Sequence, residues 1–350
     1  MVNAVNISQR TIAPGQPCFI IGEAGVNHNG HYDMALQLID AAAAAGVDAV
    51  KFQTFKSEEV ISPAAPKAAY QVRNTGEEES QLEMVKKLEL PPQAFRDLSA
   101  YCHRKGILFL STPFDFSSVD LLDDIGVPAF KIASGEITNF PFLRHIARTG
   151  KPIILSTGMS TMLEVSVAVN LLAESGVREL VLLHCTSNYP ASPESVNLRA
   201  MRAMEDTFHV PIGYSDHTEG IAIPIAAAAL GACVLEKHFT LDRNLPGPDH
   251  RASLEPSELK EMVLSVRKVE AALGTGEKKP TSEELNTAAV ARRSLVAARS
   301  LTAGTVISED MIVIRRPGTG LPPSMLPSVL GRRLKTGIDA GTLLTLEMLD

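Results

Sequence analysis

The strongest constraint on the fold of this chain is a series of eight short apolar segments that alternate with segments of helical periodicity. The predicted strands cover residues 19–25, 49–55, 107–114, 129–136, 152–159, 180–190, 210–217 and 233–240. The predicted helices cover residues 33–46, 95–106, 161–176, 219–231 and 255–274, and several of them end in Gly, which is favoured at a helix C-terminus. This alternation predicts an α/β fold with a parallel sheet and right-handed crossovers.

The number of strands favours a closed (β/α)8 TIM barrel over an open, doubly wound sheet. A doubly wound sheet that binds a dinucleotide normally carries a GxGxxG loop after its first strand. This chain has GEAGVNHNG at that place, residues 22–30, and the glycine spacing does not match. We therefore predict the barrel.

The chain changes character after residue 274. Residues 275–290 are polar, and two segments that resemble each other follow, TAGTVIS (302–308) and DAGTLLT (339–345). We predict a barrel domain over residues 1–278, a linker over 279–290 and a small domain over 291–350. With roughly sixty residues the small domain is near the lower limit of a self-supporting fold, so we expect it to lean on the barrel of its own or another chain.

Composition narrows the class of protein. The formal net charge of −7 argues against a nucleic-acid partner, which needs a clustered basic face. No apolar run approaches the roughly 20 residues of a membrane span, and the N-terminus lacks the pattern of a secretory signal. The four cysteines are scattered without a CxxC pair, as expected for reduced thiols. We expect a cytoplasmic protein without a membrane partner.

Polar residues end nearly every predicted strand, and in a barrel those ends form the mouth that carries the active site. A single Ser or Thr there is an ordinary turn former, but Lys and Glu inside a strand are rare unless they are paired or functional. The main strand-end residues are Glu23, Lys51, Gln53, Thr112, Lys131, Ser134, Glu136, Ser156, Ser187, Tyr189, Ser215, His217, Glu236 and His238. Residues 56–90 are too long for a simple connection, and we expect them to fold over this mouth or against a partner subunit.

Three constellations at the mouth carry chemistry. His217 and His238 end consecutive strands, and such a pair suits a divalent metal ion such as Mn²⁺, with a structural or acid–base histidine pair as the alternative. Lys51 and Lys131 lie among apolar neighbours, where an ammonium needs an anion. They predict a site for phosphate plus carboxylate, and the rival hypothesis is a Schiff-base aldolase.

Glu23 and Glu136 lie on opposite sides of the predicted mouth. A buried carboxylate there can take a proton from water or from a sugar hydroxyl. The alternative role is to hold a lysine or a metal-bound water in place. The residues alone leave both roles open.

A resemblance to a known family covers nearly the whole chain. The motifs that carry it are GEAGVNHNG, KFQTF, STPFD, KIASGE, LSTGM, HCTSNYP, GYSDHTEG, EKHFTLDRNLPGPDH and RRPGTGLPP. In this order they resemble the sialic acid synthase family, and the small domain is similar to type III antifreeze proteins, the SAF domain. The resemblance implies condensation of phosphoenolpyruvate with N-acetylmannosamine and water to give N-acetylneuraminate and phosphate. The alternative is that the acceptor sugar is a 2,4-diacetamido-trideoxyhexose, in which case the same reaction gives legionaminic or pseudaminic acid.

The resemblance also implies roles for individual residues. Phosphoenolpyruvate would be held by Lys51, Gln53, Thr112, Lys131, Ser134, Ser156, Ser187 and Ser215, of which Ser187 departs from the Asn or Thr of the family pattern. The amino sugar would be contacted by Glu23, Tyr189, His238 and Asp249. His217 and His238 would hold Mn²⁺, with Mg²⁺ or Co²⁺ as alternatives, and the metal would polarise the aldehyde. Glu136 is expected to handle the proton of the water, with Glu23 second.

Arg316 matches the arginine with which this family's terminal module reaches the active site of a partner, which implies a domain-swapped homodimer. The alternative for Arg316 is an ordinary surface arginine beside a turn. A hypothesis of a different class is a non-catalytic carbohydrate- or ice-binding protein with an inactive barrel. The interior lysines and paired histidines argue against it.

Overall fold

The computed structural model describes residues 2–350, which form two compact units that divide between Gly274 and Thr275. The first unit opens with a hairpin of β1 (Val5–Ile7) and β2 (Arg10–Ile12). Eight further strands form one sheet, namely β3 (Phe19–Gly25), β4 (Ala49–Thr54), β5 (Leu108–Pro113), β6 (Phe130–Ile132), β7 (Ile153–Ser156), β8 (Leu180–Cys185), β9 (Ile212–Asp216) and β10 (Val234–His238).

The eight strands are paired in parallel in the order β5-β4-β3-β10-β9-β8-β7-β6. This is the chain order written round a circle, because the last strand, β10, pairs with the first, β3. The two strands at the ends of this hydrogen-bonded order, β5 and β6, lie side by side and complete the circle. The predicted (β/α)8 TIM barrel is confirmed.

The hairpin, which the sequence analysis did not predict, covers the N-terminal end of the barrel. Its side chains Val5, Ile7 and Ile12 are buried and form one apolar cluster with strand residues such as Phe19 and Val181. A second, larger apolar cluster lies between the outer face of the sheet and the surrounding helices. With apolar packing at its base, the barrel presents its polar strand ends at the opposite, C-terminal mouth.

Twelve helices belong to this unit, and the longer ones surround the barrel. They are α1 (Tyr32–Ala45), α2 (Ser57–Val60), α3 (Ala69–Thr75), α4 (Gln81–Lys86), α5 (Pro92–Lys105), α6 (Phe116–Ile125), α7 (Phe140–Ala147), α8 (Met162–Glu174), α9 (Pro193–Val196), α10 (Ala200–Phe208), α11 (Ala222–Ala229) and α12 (Pro256–Leu273). The sequence analysis predicted α1, α5, α8, α11 and α12 but not α6, α7 and α10. For α6 and α7 a local signal exists, since Asp115 and Asn139 accept hydrogen bonds from backbone N–H groups as N-caps.

Residues 56–90, which we call the strap, fold over the barrel mouth as expected. The strap carries the short helices α2, α3 and α4. Asn74 donates a hydrogen bond to the Pro248 carbonyl oxygen (2.6 Å), which joins the strap to the loop after β10. Lys67 holds the strap internally, because its Nζ donates to Thr75 Oγ1 (3.2 Å) and to the Gly76 carbonyl oxygen (3.0 Å).

The second unit contains α13 (Ser282–Ala291), β11 (Ser294–Ala297), β12 (Ile312–Arg315) and α14 (Leu326–Val329). It has its own apolar core, which includes Leu295, Ile307 and Leu344. The segment 279–290, expected as a linker, carries most of α13, which begins with a capping box of Thr281 and Glu284.

The weak sequence repeat in this unit is also a structural repeat. Gly304 and Gly341 take positive φ values of 79° and 87° in matching turns. Each turn is followed by a 3₁₀ turn, Glu309–Met311 in the first copy and Leu346–Met348 in the second. Across residues 2–350, no helix combines the length and the apolar character that crossing a membrane requires.

Candidate active site

A cavity of about 460 Å³ lies at the C-terminal mouth, within the size range of small-molecule sites. All predicted site residues line it except Glu136 and Arg316. The predicted residues that the structure brings together are Glu23, Lys51, Gln53, Thr112, Lys131, Ser134, Ser156, Ser187, Tyr189, Ser215, His217, His238 and Asp249. They come from seven of the eight strands and from the loops that follow, and for β8 from its loop alone.

Two buried lysines and two buried carboxylates form the floor of the cavity. Lys51 Nζ lies 2.6 Å from Glu23 Oε2 and 3.7 Å from Glu236 Oε2, and it donates a hydrogen bond to Thr112 Oγ1 (2.9 Å). Lys131 Nζ lies 3.5 Å from Glu236 Oε1. Glu236 is therefore shared by both ammonium groups. Alternation along the strands places these side chains on one face of the sheet.

The charges of the floor are strongly perturbed. Burial raises the pKa of Glu23 to about 7; Glu236 adds to this effect and Lys51 opposes it. Burial would also raise the pKa of Glu236, but Lys131 and Lys51 outweigh it and lower that pKa. Burial lowers the pKa of Lys131. With Glu23 protonated, the floor holds two ammonium groups against one carboxylate, and this excess of positive charge suits an anionic ligand.

Lys51 is poorly suited to act as a Schiff-base nucleophile. Burial would lower its pKa, but Glu23 and Glu236 outweigh burial and raise that pKa above the ordinary value. A nucleophilic amine must be unprotonated, and lysine is activated by the opposite environment, a desolvated pocket without a counter-charge. The floor therefore favours anion binding over the aldolase hypothesis for this lysine.

Three serines, Ser134, Ser156 and Ser187, line the cavity together and form a hydroxyl cradle. Gly158 N donates to Ser134 Oγ (2.9 Å), and a Cβ placed on Gly158 would lie 2.2 Å from Ser187 Oγ. The Ser156 hydroxyl is buried and has no hydrogen-bond partner anywhere in residues 2–350. Because buried polar groups are normally paired, this hydroxyl at the cavity wall is open to a hydrogen bond from a ligand or a water molecule.

The two predicted metal ligands lie side by side. The ring centroids of His217 and His238 are 5.5 Å apart. His217 Nδ1 donates to the Thr186 carbonyl oxygen (2.8 Å), which leaves Nε2 of that ring for another partner. His238 Nδ1 is buried and makes no hydrogen bond within the described residues. Both rings therefore offer a nitrogen for a ligand.

His238 fits a metal ion as it stands, whereas His217 would give up a proton when a metal binds, and the two rings would be the only protein ligands among the described residues. Burial lowers the pKa of His238, and His217 and Lys51 lower it further, so this ring is neutral as metal binding requires. Burial would lower the pKa of His217 too, but Cys185 and the Thr186 carbonyl outweigh it and raise that pKa. Within residues 2–350 no group of three or more His, Cys, Asp or Glu side chains has metal-site geometry. Water or substrate oxygens would have to complete the coordination shell.

Aromatic residues form one wall next to the histidines. The Tyr189 ring lies 4.1 Å from that of His217 and 5.8 Å from that of His238, and it stacks on Tyr70 of the strap at 5.0 Å between centroids. Asp249 is buried beside them, and burial raises the pKa of its carboxyl to about 6. This wall joins the strap to the imidazole pair.

Glu136 and Arg316 are not part of the cavity wall. Glu136 lies on the 3₁₀ turn Ser134–Glu136, whose first two residues line the cavity, and it accepts a hydrogen bond from Asn139 Nδ2 (2.7 Å) instead. Of the two predicted carboxylates, Glu23 lines the cavity directly, and the proton-handling role expected for Glu136 stays a prediction. Arg316 lies exposed in the second unit, just after β12.

Several residues that face the cavity were given no role from the sequence. Glu236 was noted only as a strand-end residue, although it lies two positions before His238 and therefore on the same face of β10. The strap contributes a set of residues that only the fold reveals, namely Val60, Ile61, Ala68, Tyr70, Gln71, Gln81, Met84, Val85 and Leu88.

The fold and the site together define a barrel of the enzyme type, with two buried lysines at the cavity floor beside a pair of imidazoles. Residues 38–278 match the model of the NeuB family, and residues 292–350 match that of the SAF domain. The chain belongs to the NeuB family, so the resemblance to sialic acid synthases is confirmed.

Two relatives and one solved structure show how close the similarity is. The chain is 49% identical over 337 residues to the N,N'-diacetyllegionaminic acid synthase of Legionella pneumophila (strain Philadelphia 1), covering 95% of each chain. It is 36% identical over 343 residues to the human N-acetylneuraminate-9-phosphate synthase, covering 97% of this chain and 95% of the relative. The N-acetylneuraminic acid (sialic acid) synthetase of Leptospira borgpetersenii serovar Hardjo-bovis, solved with citrate, has a TM-score of 0.73 at 36% identity, covering 82% of this chain and 95% of that one. The chain is an enzyme of the NeuB type, and its reaction is a sialic acid synthase-type condensation of phosphoenolpyruvate with a sugar.

Proposed function

We propose that this enzyme condenses phosphoenolpyruvate with a 2,4-diacetamido-trideoxyhexose to give N,N'-diacetyllegionaminic acid and phosphate. The Legionella relative, 49% identical, bears the name of that activity, whereas the human N-acetylneuraminate-9-phosphate synthase is 36% identical. The sequence analysis placed N-acetylmannosamine first. The relatives favour the acceptor that it gave as the alternative, and N-acetylmannosamine becomes the second candidate.

The observation that carries this choice of acceptor is the apolar character of the strap side of the cavity. The strap lines the cavity with Ile61, Met84 and Val85 among others, and in this described segment none of the lining side chains is charged. Phe55 and Phe114 extend the apolar surface. The trideoxy sugar carries a C6 methyl group and a C4 acetamido methyl group, where N-acetylmannosamine carries hydroxyls. Methyl groups gain free energy in such surroundings, whereas hydroxyls need hydrogen-bond partners there.

In the proposed reaction, C3 of phosphoenolpyruvate attacks the aldehyde carbon of the open-chain sugar and forms the new C–C bond. The aldehyde oxygen gains a proton, and water adds at C2 and gives up one proton. The tetrahedral centre then collapses: the C2–O bond to phosphate breaks, the C2 hydroxyl loses its proton and becomes the keto group, and phosphate leaves with that proton as hydrogen phosphate. Lys51 and Lys131 would bind the charged groups of phosphoenolpyruvate, because their ammonium groups share one ionised carboxylate, Glu236. The hydroxyls of Ser134 and Ser156 would bind the phosphoryl oxygens in the cradle that Gly158 leaves open.

We assign the remaining predicted contacts in the same way. The residues expected to complete the phosphoenolpyruvate site are Gln53, Thr112, Ser187 and Ser215. Tyr189 and Asp249 would contact the sugar from the wall that faces the strap. Glu23 would take the proton of the attacking water, since burial brings its pKa to about 7 and both protonation states are populated near neutral pH.

We further propose that His217 and His238 hold a divalent metal ion, Mn²⁺ in the first place and Mg²⁺ or Co²⁺ as alternatives. When bound, such an ion supplies Lewis-acid polarisation of the sugar aldehyde. The chain itself contributes the fixed orientation of the rings. The Thr186 carbonyl oxygen fixes the Nδ1 tautomer of His217, and Tyr189 packs against both imidazoles.

We also propose that the enzyme is a domain-swapped homodimer in which Arg316 of one protomer reaches the sugar in the active site of the other. An exposed arginine is suited to this role, because its guanidinium can donate hydrogen bonds to the acyl-amino oxygen of a bound sugar.

The acceptor is tested by measuring phosphate release from phosphoenolpyruvate with three sugars in parallel. They are the 2,4-diacetamido-trideoxy sugar, N-acetylmannosamine, and 6-deoxy-N-acetylmannosamine as the matched control that changes C6 alone. We expect kcat/KM to fall at least about 10-fold from the first sugar to the second, with the third between them. A higher kcat/KM with N-acetylmannosamine would overturn the choice of acceptor, and no phosphate release with any sugar would overturn the synthase assignment.

A further inference from the structure

A buried ion pair lies behind the two histidines, on the face of the sheet opposite the cavity. Asp216 and Lys237 are register partners in the parallel pair of β9 and β10. Both side chains are completely buried, with 0% exposure each, and Lys237 Nζ lies 2.5 Å from Asp216 Oδ2. The preceding register pair, Ser215 and Glu236, faces the cavity and is also hydrogen-bonded (2.9 Å). The ends of the two strands are thus joined on both faces.

The Asp216–Lys237 pair is part of a hydrogen-bond network that encloses the His217 backbone. Asp216 Oδ1 accepts from Tyr214 Oη (3.0 Å) and from Thr218 N (3.0 Å), and Oδ2 accepts from Thr218 Oγ1 (3.1 Å). Lys237 Nζ also donates to the Thr218 carbonyl oxygen. The carboxylate of Asp216, the residue before His217, therefore binds both the backbone N–H and the hydroxyl of Thr218, the residue after His217. Lys237, in turn, is the residue immediately before His238.

We propose that the Asp216–Lys237 pair positions the imidazoles of His217 and His238 relative to each other. Both members are positioning residues, because neither lines the cavity within the described chain. A buried hydrogen-bond network whose polar groups all have partners stabilises a single backbone conformation. Here the network joins Asp216 and Lys237, the last register pair of β9 and β10. The direction in which each imidazole leaves its strand then follows from the fixed backbone on either side of it.

The alternative is a pair that serves only the stability of the core. Buried ion pairs are weak contributors to stability, and well-packed apolar replacements are often tolerated. A purely stabilising pair would act in the same way at any place in the barrel. Asp48 provides the comparison at the opposite end, where its carboxylate accepts from Ile20 N (2.9 Å) and from Arg267 Nη2 (2.9 Å), just before β4 begins.

The test uses the double variant Asp216→Asn/Lys237→Met in the full-length enzyme. Changing both residues removes the two charges together and avoids leaving one buried charge without a partner. The matched control is Asp48→Asn, which removes a buried carboxylate far from the mouth. Three quantities are compared with the wild type: the separation of the His217 and His238 rings in a crystal structure, the Mn²⁺ affinity of substrate-free protein by calorimetry, and the separate KM values of the two substrates.

We expect the double variant to fold, with its ring separation changed from 5.5 Å, its Mn²⁺ affinity lowered about 10-fold and its sugar KM raised, while the KM for phosphoenolpyruvate stays unchanged. The control should lower the melting temperature and leave all three quantities at their wild-type values. A double variant with unchanged ring separation overturns the proposal, whatever its melting temperature. If the double variant does not fold, Thr218→Val is measured in the same way, because it removes one hydrogen-bond donor to Asp216 Oδ2 and leaves the two charges paired.

The expected effect on Mn²⁺ affinity rests on the proposed metal role of the histidines. The metal site and the positioning role are refuted by different results. Wild-type enzyme that binds no Mn²⁺, or His217→Ala enzyme that binds it as tightly as the wild type, refutes the metal site. The ring separation still decides the positioning role in either case.

Discussion

Replacement of Glu236 by Gln tests the electrostatics of the cavity floor. The carboxylate lies 3.5 Å from Lys131 Nζ and 3.7 Å from Lys51 Nζ, and all three groups are buried. At an effective dielectric constant of about 20, each pair is worth about 5 kcal/mol of Coulomb energy. The loss in the free energy of unfolding is smaller than the sum of these two Coulomb energies, because the variant has no carboxylate to desolvate at this position and Glu23 still pairs with Lys51. Breaking a buried ion pair typically costs about 3–5 kcal/mol, and we expect a loss in this range.

Differential scanning calorimetry measures this loss. At about 2–4 °C per kcal/mol for a domain of this size, the melting temperature should fall by about 6–20 °C. Saturating phosphoenolpyruvate should then raise the melting temperature of Glu236→Gln more than that of the wild type, since the ligand supplies the negative charge that the variant lacks. This second comparison separates charge neutralisation from a loss of packing.

The matched control is Glu58→Gln, which removes an exposed carboxylate paired with Lys86 on the strap surface. Exposed pairs contribute little, so its melting temperature should stay within about 1 °C of the wild type. The reasoning is refuted if Glu236→Gln has the same melting temperature as the wild type and phosphoenolpyruvate raises that temperature no more than it does for the wild type. That result would mean that the two lysines do not depend on Glu236 for their charge.

Three further predictions concern the proton, the metal and the partner chain. The kcat/KM of the wild type should rise with pH through about 7, because kcat/KM reports the free enzyme, burial raises the pKa of Glu23 there to about 7, and the base form accepts the proton. Glu23→Gln should lose this step in a pH profile of phosphate release, and an unchanged profile would exclude Glu23 as the base. Prolonged chelation should abolish turnover and Mn²⁺ should restore it, whereas a chelated enzyme of full activity would contradict the metal proposal. Arg316→Ala should raise the KM for the sugar far more than that for phosphoenolpyruvate, and an equal rise in both would argue against its role across the dimer.

The barrel and most of the site could be predicted because both depend on patterns that are local in the sequence. Eight apolar segments that alternate with helices determine the topology, and polar residues at their ends determine the mouth. Lys51 and Lys131 stood out because a lysine within an apolar strand is costly without a counter-charge. The structure places both at the floor of one cavity.

Contacts between distant segments could not be predicted in the same way. The hairpin Val5–Ile12 closes the barrel with residues whose sequence gives no sign of their partners. Tyr70 reaches the active site because the strap folds back over it, and its stacking on Tyr189 depends on that fold. Glu136 shows the same limit, since Ser134 on the same 3₁₀ turn faces the cavity while the Glu136 carboxylate accepts a hydrogen bond from Asn139, and its role with the proton stays a prediction.

The segments that end β9 and β10 show why strand-end charges are hard to assign. Successive residues of a strand point to opposite faces of the sheet, and in both segments the charged or polar residues follow one another without a gap. The alternation of polar and apolar residues therefore cannot show which of them face the cavity. Register resolves this: Ser215 and Glu236 pair toward the cavity, and Asp216 and Lys237 pair away from it. The polar density of these segments therefore comes from two adjacent layers, one that lines the cavity and one behind it that is hydrogen-bonded to Thr218, the residue after His217.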